Sequence, residues 1–209
     1  MVHPRTPLPA VHWFLLAACA AVLVWSGIAP NDRATWFLEV APPVIGIAVL
    51  AWCYPWYRFT DLAYWLVAIF SIVMMIGGHY TYAEVPAFDW LRDATGGERN
   101  HFDRLGHILQ GFVPAIIARE VLIRNRVLAK PRWLFYVVVS ICLAISAFYE
   151  LVEWWVALLS DDAAESFLGT QGDDWDTQWD MFLALSGASV SLLTLSRMHD
   201  RQLRALGLA

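Results

Sequence analysis

The sequence predicts an all-α, polytopic membrane helix bundle of about six transmembrane helices, and three observations lead there. Of its 209 residues, 59% are hydrophobic and the mean hydropathy is +0.51, whereas soluble domains average about 45–50% apolar. The apolar residues are gathered into runs close to the roughly 20 residues that a bilayer requires. Basic residues alternate between connecting segments as the positive-inside rule demands.

The first run extends from about Val11 to Ala29 and the second from about Phe37 to Tyr54. Pro42-Pro43 near the start of the second predicts a late start or a kink. The third covers about Asp61 to Ile76 and continues to Gly77-Gly78-His79. The fourth runs from about Leu105 to Val121, the fifth from Trp133 to Leu159, and the sixth from Met181 to Leu195. The first run is long for a signal-peptide core and lacks a clean small-residue cleavage site, so it is expected to be retained. Cys19, Cys53 and Cys142 all lie within apolar runs, an odd number that argues for packing residues rather than disulfides or a thiolate metal site. No repeat, low-complexity tract or second domain interrupts residues 1–209, which read as a single integral-membrane domain.

Sorted by alternation, one side receives Arg5, Arg58, Arg124, Arg126, Lys130, Arg132, Arg197, Arg201 and Arg204. The other receives Arg33, Arg92, Arg99 and a large share of the acids. Both termini are therefore expected in the cytoplasm. Trp36, Trp56, Trp133, Trp154, Trp155, Trp175 and Trp179 stand near span ends, as in interfacial belts.

Four stretches on the outer side carry ionisable residues out of keeping with their surroundings: Gly77 to Tyr82, Asn100 to His107 with Gln110, Tyr149 to Glu153, and Gln171 to Asp180. Asp103, His107 and Gln110 share one helical stripe, Glu150 and Glu153 a second, and Asp173, Asp176 and Asp180 a third. Ionised groups in a span are costly, so they turn to the bundle interior or a wet cavity and pair there. Carboxylates and imidazoles converging from several helices suit a divalent cation, with Zn, Mn, Mg or Ca as candidates. The expected ligands are His79, His107, Asp103, Glu150, Asp173, Asp176 and Asp180. Glu150, Glu153 and Asp103 are the candidate catalytic groups, one acting as base on a bound water. Arg92, Arg99, Asn100, Gln110, Gln171 and Gln178 are candidates for holding a substrate with an anionic head group.

Simpler roles compete for some of these residues. Asp103 and Asp176 also suit helix N-terminal capping and dipole compensation. Glu150 and Glu153 do not, because anions near a helix C-terminus oppose its dipole. Asp161, Asp162, Glu165 and Asp174 read as a solvated acidic loop, and His3, His12 and His199 as incidental.

The strings GGHYTY, NHFDRLGH, YELVEW and QGDDWDTQWDM resemble the YjdF family of bacterial inner-membrane proteins, from about His79 to Arg197. That resemblance implies the helical fold and an inner-membrane location. More loosely, the chain is similar to VanZ-like membrane proteins, where Asp103 with His107, Glu150 with Glu153, and Asp176 with Asp180 would be the counterparts. It departs from them in having Glu153 in place of Gln, and Leu185 or Ser186 in place of Asn.

The reading that follows is a metal-dependent hydrolase or transferase at the outer, periplasmic face of the inner membrane, acting on a lipid or lipid-linked substrate. A non-catalytic envelope scaffold or stress factor and a cation or proton transporter are the alternatives. Against transport, the stretches from about Leu62 to Met74 and Leu183 to Leu195 lack charges. Six histidines are too few for a membrane desaturase. The motifs of intramembrane serine proteases, lipid phosphatases and phosphate-binding loops are absent. A net charge of −5 with outward-facing acids disfavours nucleic acid.

Overall fold

The computed structural model describes residues 8–128, 130–159 and 170–208. His3, Arg5 and the acidic residues Asp161, Asp162 and Glu165 lie outside the described residues. Among the described residues every regular element is helical. In chain order these are α1 (Ala10–Ser26), α2 (Arg33–Cys53), α3 (Asp61–Tyr80), α4 (Pro86–Thr95), α5 (Phe102–Arg124), α6 (Pro131–Leu159) and α7 (Asp176–Ala205).

Five of them, α2, α3, α5, α6 and α7, are long and apolar enough to cross a membrane. The first, α1, is apolar but shorter, at 17 residues, which at 1.5 Å per residue spans about 25 Å. Large apolar side chains cover the outside, among them Phe14, Phe37, Leu159 and Leu193. The buried set contains Glu39, His107, Glu120, Glu150, Asp180 and His199. A soluble monomer exposes little contiguous apolar surface, so polar inside and apolar outside is the arrangement of a membrane bundle. Trp56, Trp133, Trp154, Trp155, Trp175 and Trp179 are all exposed, in keeping with interfacial positions.

Several helix limits differ from those expected. Asp32 caps α2 by accepting from Thr35 N at 2.6 Å, so the helix begins before Phe37 and runs without a break through Pro42 and Pro43. Those prolines have no amide to give the carbonyls of Leu38 and Glu39. The α3–α5 connection, expected as a loop, contains α4, with Pro86 in its first turn and Gly96 at φ +66 closing it. At 30 residues, α7 extends beyond both ends of the expected sixth run.

Hydrogen bonds between helix ends fix the up-and-down order. At one end, Trp36 Nε1 donates to Ser26 Oγ at 3.1 Å, and Asn31 N to the His79 carbonyl at 3.0 Å. At the other, His12 Nε2 lies 3.0 Å from Asp61 Oδ1, and Leu62 N donates to Gln202 Oε1 at 2.9 Å.

The tightest contact joins α5 to α7. A Cβ on Gly111 would stand 1.8 Å from the Ala184 carbonyl oxygen, and one on Gly187 would stand 2.1 Å from that of Ile108. Lipid supplies no hydrophobic drive between helices, so small residues that let backbones touch are a principal means of association. Below this contact Ala115, Val138, Cys142, Ala188 and Leu192 form an apolar core of α5, α6 and α7. Cys19 packs with Leu15 and Ala68, and all three cysteines are free thiols.

Candidate functional site

The Gly111–Gly187 seam lies one turn below His107 on α5 and about two turns below Asp180 on α7, and it brings those stripes together. The last turns of α6 add Tyr149, Glu150 and Glu153. The fourth wall is α2, through Glu39. The glycines of the Gly77-Gly78 pair make room for it. The Tyr82 ring would clash with a Cβ on Gly77, and the Glu39 Cβ would lie 3.1 Å from one on Gly78. Tyr82 itself stands at φ +54 after the left-handed Thr81, in the turn that closes α3.

His107 is the hub. Its Nδ1 lies 3.1 Å from Gln110 Oε1. An amide oxygen only accepts, so Nδ1 is the donor in this bond, and Nε2 is the nitrogen that a neutral ring would offer as a ligand. Nε2 lies 3.4 Å from Asp103 Oδ1 and 3.7 Å from Asp180 Oδ2, while Nδ1 is 3.9 Å from Glu150 Oε1. These separations exceed an ordinary N–H···O hydrogen bond. The Asp103 separation falls within the edge length of a coordination polyhedron, roughly 3–3.5 Å for bonds of about 2.0–2.2 Å, and the other two lie a few tenths of an ångström beyond it. Two donor sets have ligand atoms within 4.8 Å of one another: Asp103, His107 and Asp180, and His107, Glu150 and Glu153. The Gln110 bond favours the first, since it leaves Nε2 and not Nδ1 available as a ligand. Glu150 Oε1 and Asp180 Oδ1 are buried with no hydrogen-bond partner among the described residues. An orphaned buried acceptor is costly, and a cation in the first set would offset that cost at Asp180.

Toward the helix ends the charges are matched by arginine. Arg99 reaches Asp103 Oδ2 at 3.3 Å, pairs with Asp176, and donates to the Thr170 carbonyl at 2.8 Å. Arg104 reaches Asp173 Oδ2 at 3.0 Å. Asp173 in turn accepts from Trp175 N just ahead of α7. Asn100 N donates to Gln171 Oε1 at 2.9 Å, and Gln171 Nε2 returns a bond to the Asn100 carbonyl at 3.0 Å. His101, beside them, is held below the usual imidazole range, first by desolvation and then by the Arg104 and Arg99 guanidinium groups.

A cavity of about 30 Å³ lies between the walls, bordered by Glu39, Asp103, His107, Tyr149 and Glu153. That is room for about two waters. A larger cavity, about 230 Å³, lies between α1, α2 and α3 at the opposite end, and apolar side chains such as Leu15, Ile47 and Val67 line most of it. It holds none of the clustered carboxylates.

The structure thus gathers Asp103, His107, Gln110, Glu150, Glu153, Asp176 and Asp180, with Arg99, Asn100, Gln171 and Asp173 above them. It sets three expected residues apart. His79 points away, with Nδ1 2.9 Å from the Ser26 carbonyl and its ring against Trp25, and neither donor set includes it. Arg92 pairs with Asp89 and Asp93 on α4. Gln178 is exposed.

Glu39 was not expected in the site, and Tyr149 and Tyr82 fall within the expected stretches but were assigned no role there. The signal for Glu39 was available, a lone carboxylate inside an apolar run. A second polar network, at the opposite end, was also not expected. Buried Glu120 accepts from Thr60 N at 3.2 Å, Thr60 Oγ1 at 2.8 Å, Arg124 at 2.9 Å and His199 Nε2 at 3.1 Å. Arg119 bonds His199 Nδ1 at 2.9 Å and Asp200 at 2.7 Å. His199 and His12, expected as incidental, are both buried and hydrogen-bonded.

Fold and site together define a multi-pass helical membrane protein with a carboxylate–imidazole cluster buried at one end of its bundle. Residues 11–201 match the model of a predicted membrane protein family, DUF2238, and the chain belongs to that family. It is 46% identical over 187 residues to the inner membrane protein YjdF of Escherichia coli (strain K12), covering 90% of each chain. No solved structure matches it.

Proposed function

We propose that the cluster is a divalent-cation site held by Asp103, His107 and Asp180, and that it serves a hydrolase or transferase acting on a lipid or lipid-linked substrate. The observation that carries this reading is the orientation of His107. Gln110 Oε1 accepts from Nδ1, and Nε2 faces Asp103 at 3.4 Å and Asp180 at 3.7 Å. Three protein ligands leave positions open, as catalytic sites do. A bound cation would polarise a substrate oxygen and acidify a water.

The chain's own residues supply the rest. Glu150 and Glu153 stand beside the ligands and outside the favoured set, and Glu153, which lines the 30 Å³ cavity, is positioned to take a proton from a water in it. Arg99 fixes Asp103 and Asp176. Asn100 and Gln171 bond each other above the cluster, and Arg92 and Gln178 stand apart from it. The basic residues at the opposite end, Arg58, Arg124, Arg126 and Arg197 among them, favour a cytoplasmic location for that end and for both termini. The site would then face the periplasm.

Transport fits less well. Between the cluster and the Glu120–His199 network lie the glycine seam and the fully buried Ala115, Ile116 and Ala188. A scaffold role would rest mainly on the acidic stretch outside the described residues.

Elemental analysis of the purified protein, after equilibration with each candidate cation, is the test. The expected result is stoichiometric metal that is lost in Asp103→Ala, His107→Ala and Asp180→Ala and kept in Asp173→Ala. Metal at background in the native protein, or unchanged in the three ligand variants, overturns the reading.

A further inference from the structure

The cluster is sealed on its aqueous side and weakly closed on one flank. Above it, Arg99 bonds Asp103, Asp176 and the Thr170 carbonyl, and Asn100 and Gln171 bond each other reciprocally. Arg99 is 8% exposed and Asn100 0%. On the flank, α2 and α6 face each other without close backbone packing. The principal helix contacts are α1–α3, α2–α3, α3–α5, α5–α6, α5–α7 and α6–α7. A side-chain bridge crosses the gap, from Tyr149 Oη on α6 to Glu39 Oε2 on α2 at 3.2 Å.

Both residues of that bridge line the 30 Å³ cavity, together with Phe70 and Met74 of α3 and with Asp103 and His107. Phe70 and Tyr149 are half-buried. In a bilayer their exposed parts would face acyl chains. Pro42 and Pro43 also leave the Leu38 and Glu39 carbonyls without their i+4 amide donors at this point of α2.

We infer that the substrate is lipid-borne and enters sideways from the bilayer between α2 and α6, through the opening that the Tyr149–Glu39 bridge closes. The inference rests on the proposed site and names how it is reached. The polar end of an amphiphile passes Glu39 and Tyr149 to meet His107 and Asp103. Its chains stay outside, against Phe70 and the neighbouring lipid. Tyr149 and Glu39 are positioning residues of this entrance, a role that accounts for a carboxylate on α2 outside both donor sets.

Photolabelling of the full chain in phosphatidylethanolamine–phosphatidylglycerol vesicles tests it, using a phospholipid with a diazirine high in one acyl chain. Adducts are mapped by mass spectrometry and normalised to Phe148, which is 59% exposed on α6. Metal content is measured on the same samples. Adducts are expected on Phe70 and Met74 in the native protein, rising several-fold in Tyr149→Phe and in Glu39→Gln. Hydroxyl-radical oxidation of Met74 from the water is expected to stay low throughout. Adducts confined to outward residues such as Phe148, labelling unchanged in both variants, or Met74 oxidised from water but untouched by the lipid probe would each overturn the inference. Metal present without cavity labelling defeats the entrance alone, and labelling without metal defeats the cation site alone.

Discussion

His107 and Gln110 are joined within one turn of α5, Nδ1 to Oε1, at 3.1 Å. This bond sets the imidazole tautomer and aims Nε2 between Asp103 and Asp180. Partners behind a metal-binding histidine are typically worth about 10–100-fold in metal affinity. Gln110→Ala should weaken cation binding by that order, measured by competition with a fluorescent chelator, without changing the helical circular dichroism. His79→Ala, with its ring against Trp25, should bind as the native protein does. Equal affinity of native and Gln110→Ala protein would refute the assigned tautomer.

The glycine seam predicts a stability difference between positions. Gly111→Ala and Gly187→Ala each place a methyl group against a carbonyl oxygen of the facing helix. Overpacking costs about 1–3 kcal/mol and more where backbone must move. Gly46→Ala, with nothing within 4 Å, should be neutral or slightly stabilising. Thermal unfolding in detergent should separate the first two variants from the third.

Glu120→Ala leaves Arg124, His199 and the Thr60 donors facing a hole at the opposite end. Removing one partner of a buried charged network costs about 3–5 kcal/mol. The variant should melt well below the native protein, and one that retains fold should still bind the cation. Loss of cation binding at native stability would link the two networks in a way that this geometry does not provide.

Asp32→Ala removes the cap of α2, worth about 1 kcal/mol. The Thr35 amide holds the Asp32 carboxyl below its usual range. A depressed folded-state pKa gives stability that is present above the unfolded value and lost as pH falls through the folded one. The gap between native and variant melting temperatures should therefore be full near neutrality and close in acid. A gap that persists in strong acid would mean that the cap is not electrostatic.

The family of helices was legible because lipid imposes long apolar runs, and the three acidic stripes because helical spacing exposes them. Asp103, His107 and Gln110 could be aligned from their numbers alone. Glu39 could not be joined to Tyr149 in this way, since 110 residues separate them and α2 and α6 meet only through side chains. Glu120 and His199 are 79 apart and pair across helices for the same reason. His79 was misleading because helical position tells depth and not direction. It ends α3 at the level of the cluster, yet its ring turns to α1. The Gly77-Gly78 pair beside it looked like part of a polar motif and is a packing device for Tyr82 and Glu39. Pro86 and Gly96 marked α4 in advance, but its polar sequence carried no apolar run to draw attention to it.

With carbonyl oxygens of one helix set against glycines of the other, α5 and α7 form a caliper of fixed gap. Asp103 and His107 ride on one jaw and Asp180 on the other. An ion too small for that gap cannot draw the jaws together, and one too large cannot force them apart without breaking the seam. Selection among cations would then follow ionic radius more than ligand chemistry, and whatever movement accompanies binding would fall to α2, which meets α6 through the Glu39–Tyr149 bridge.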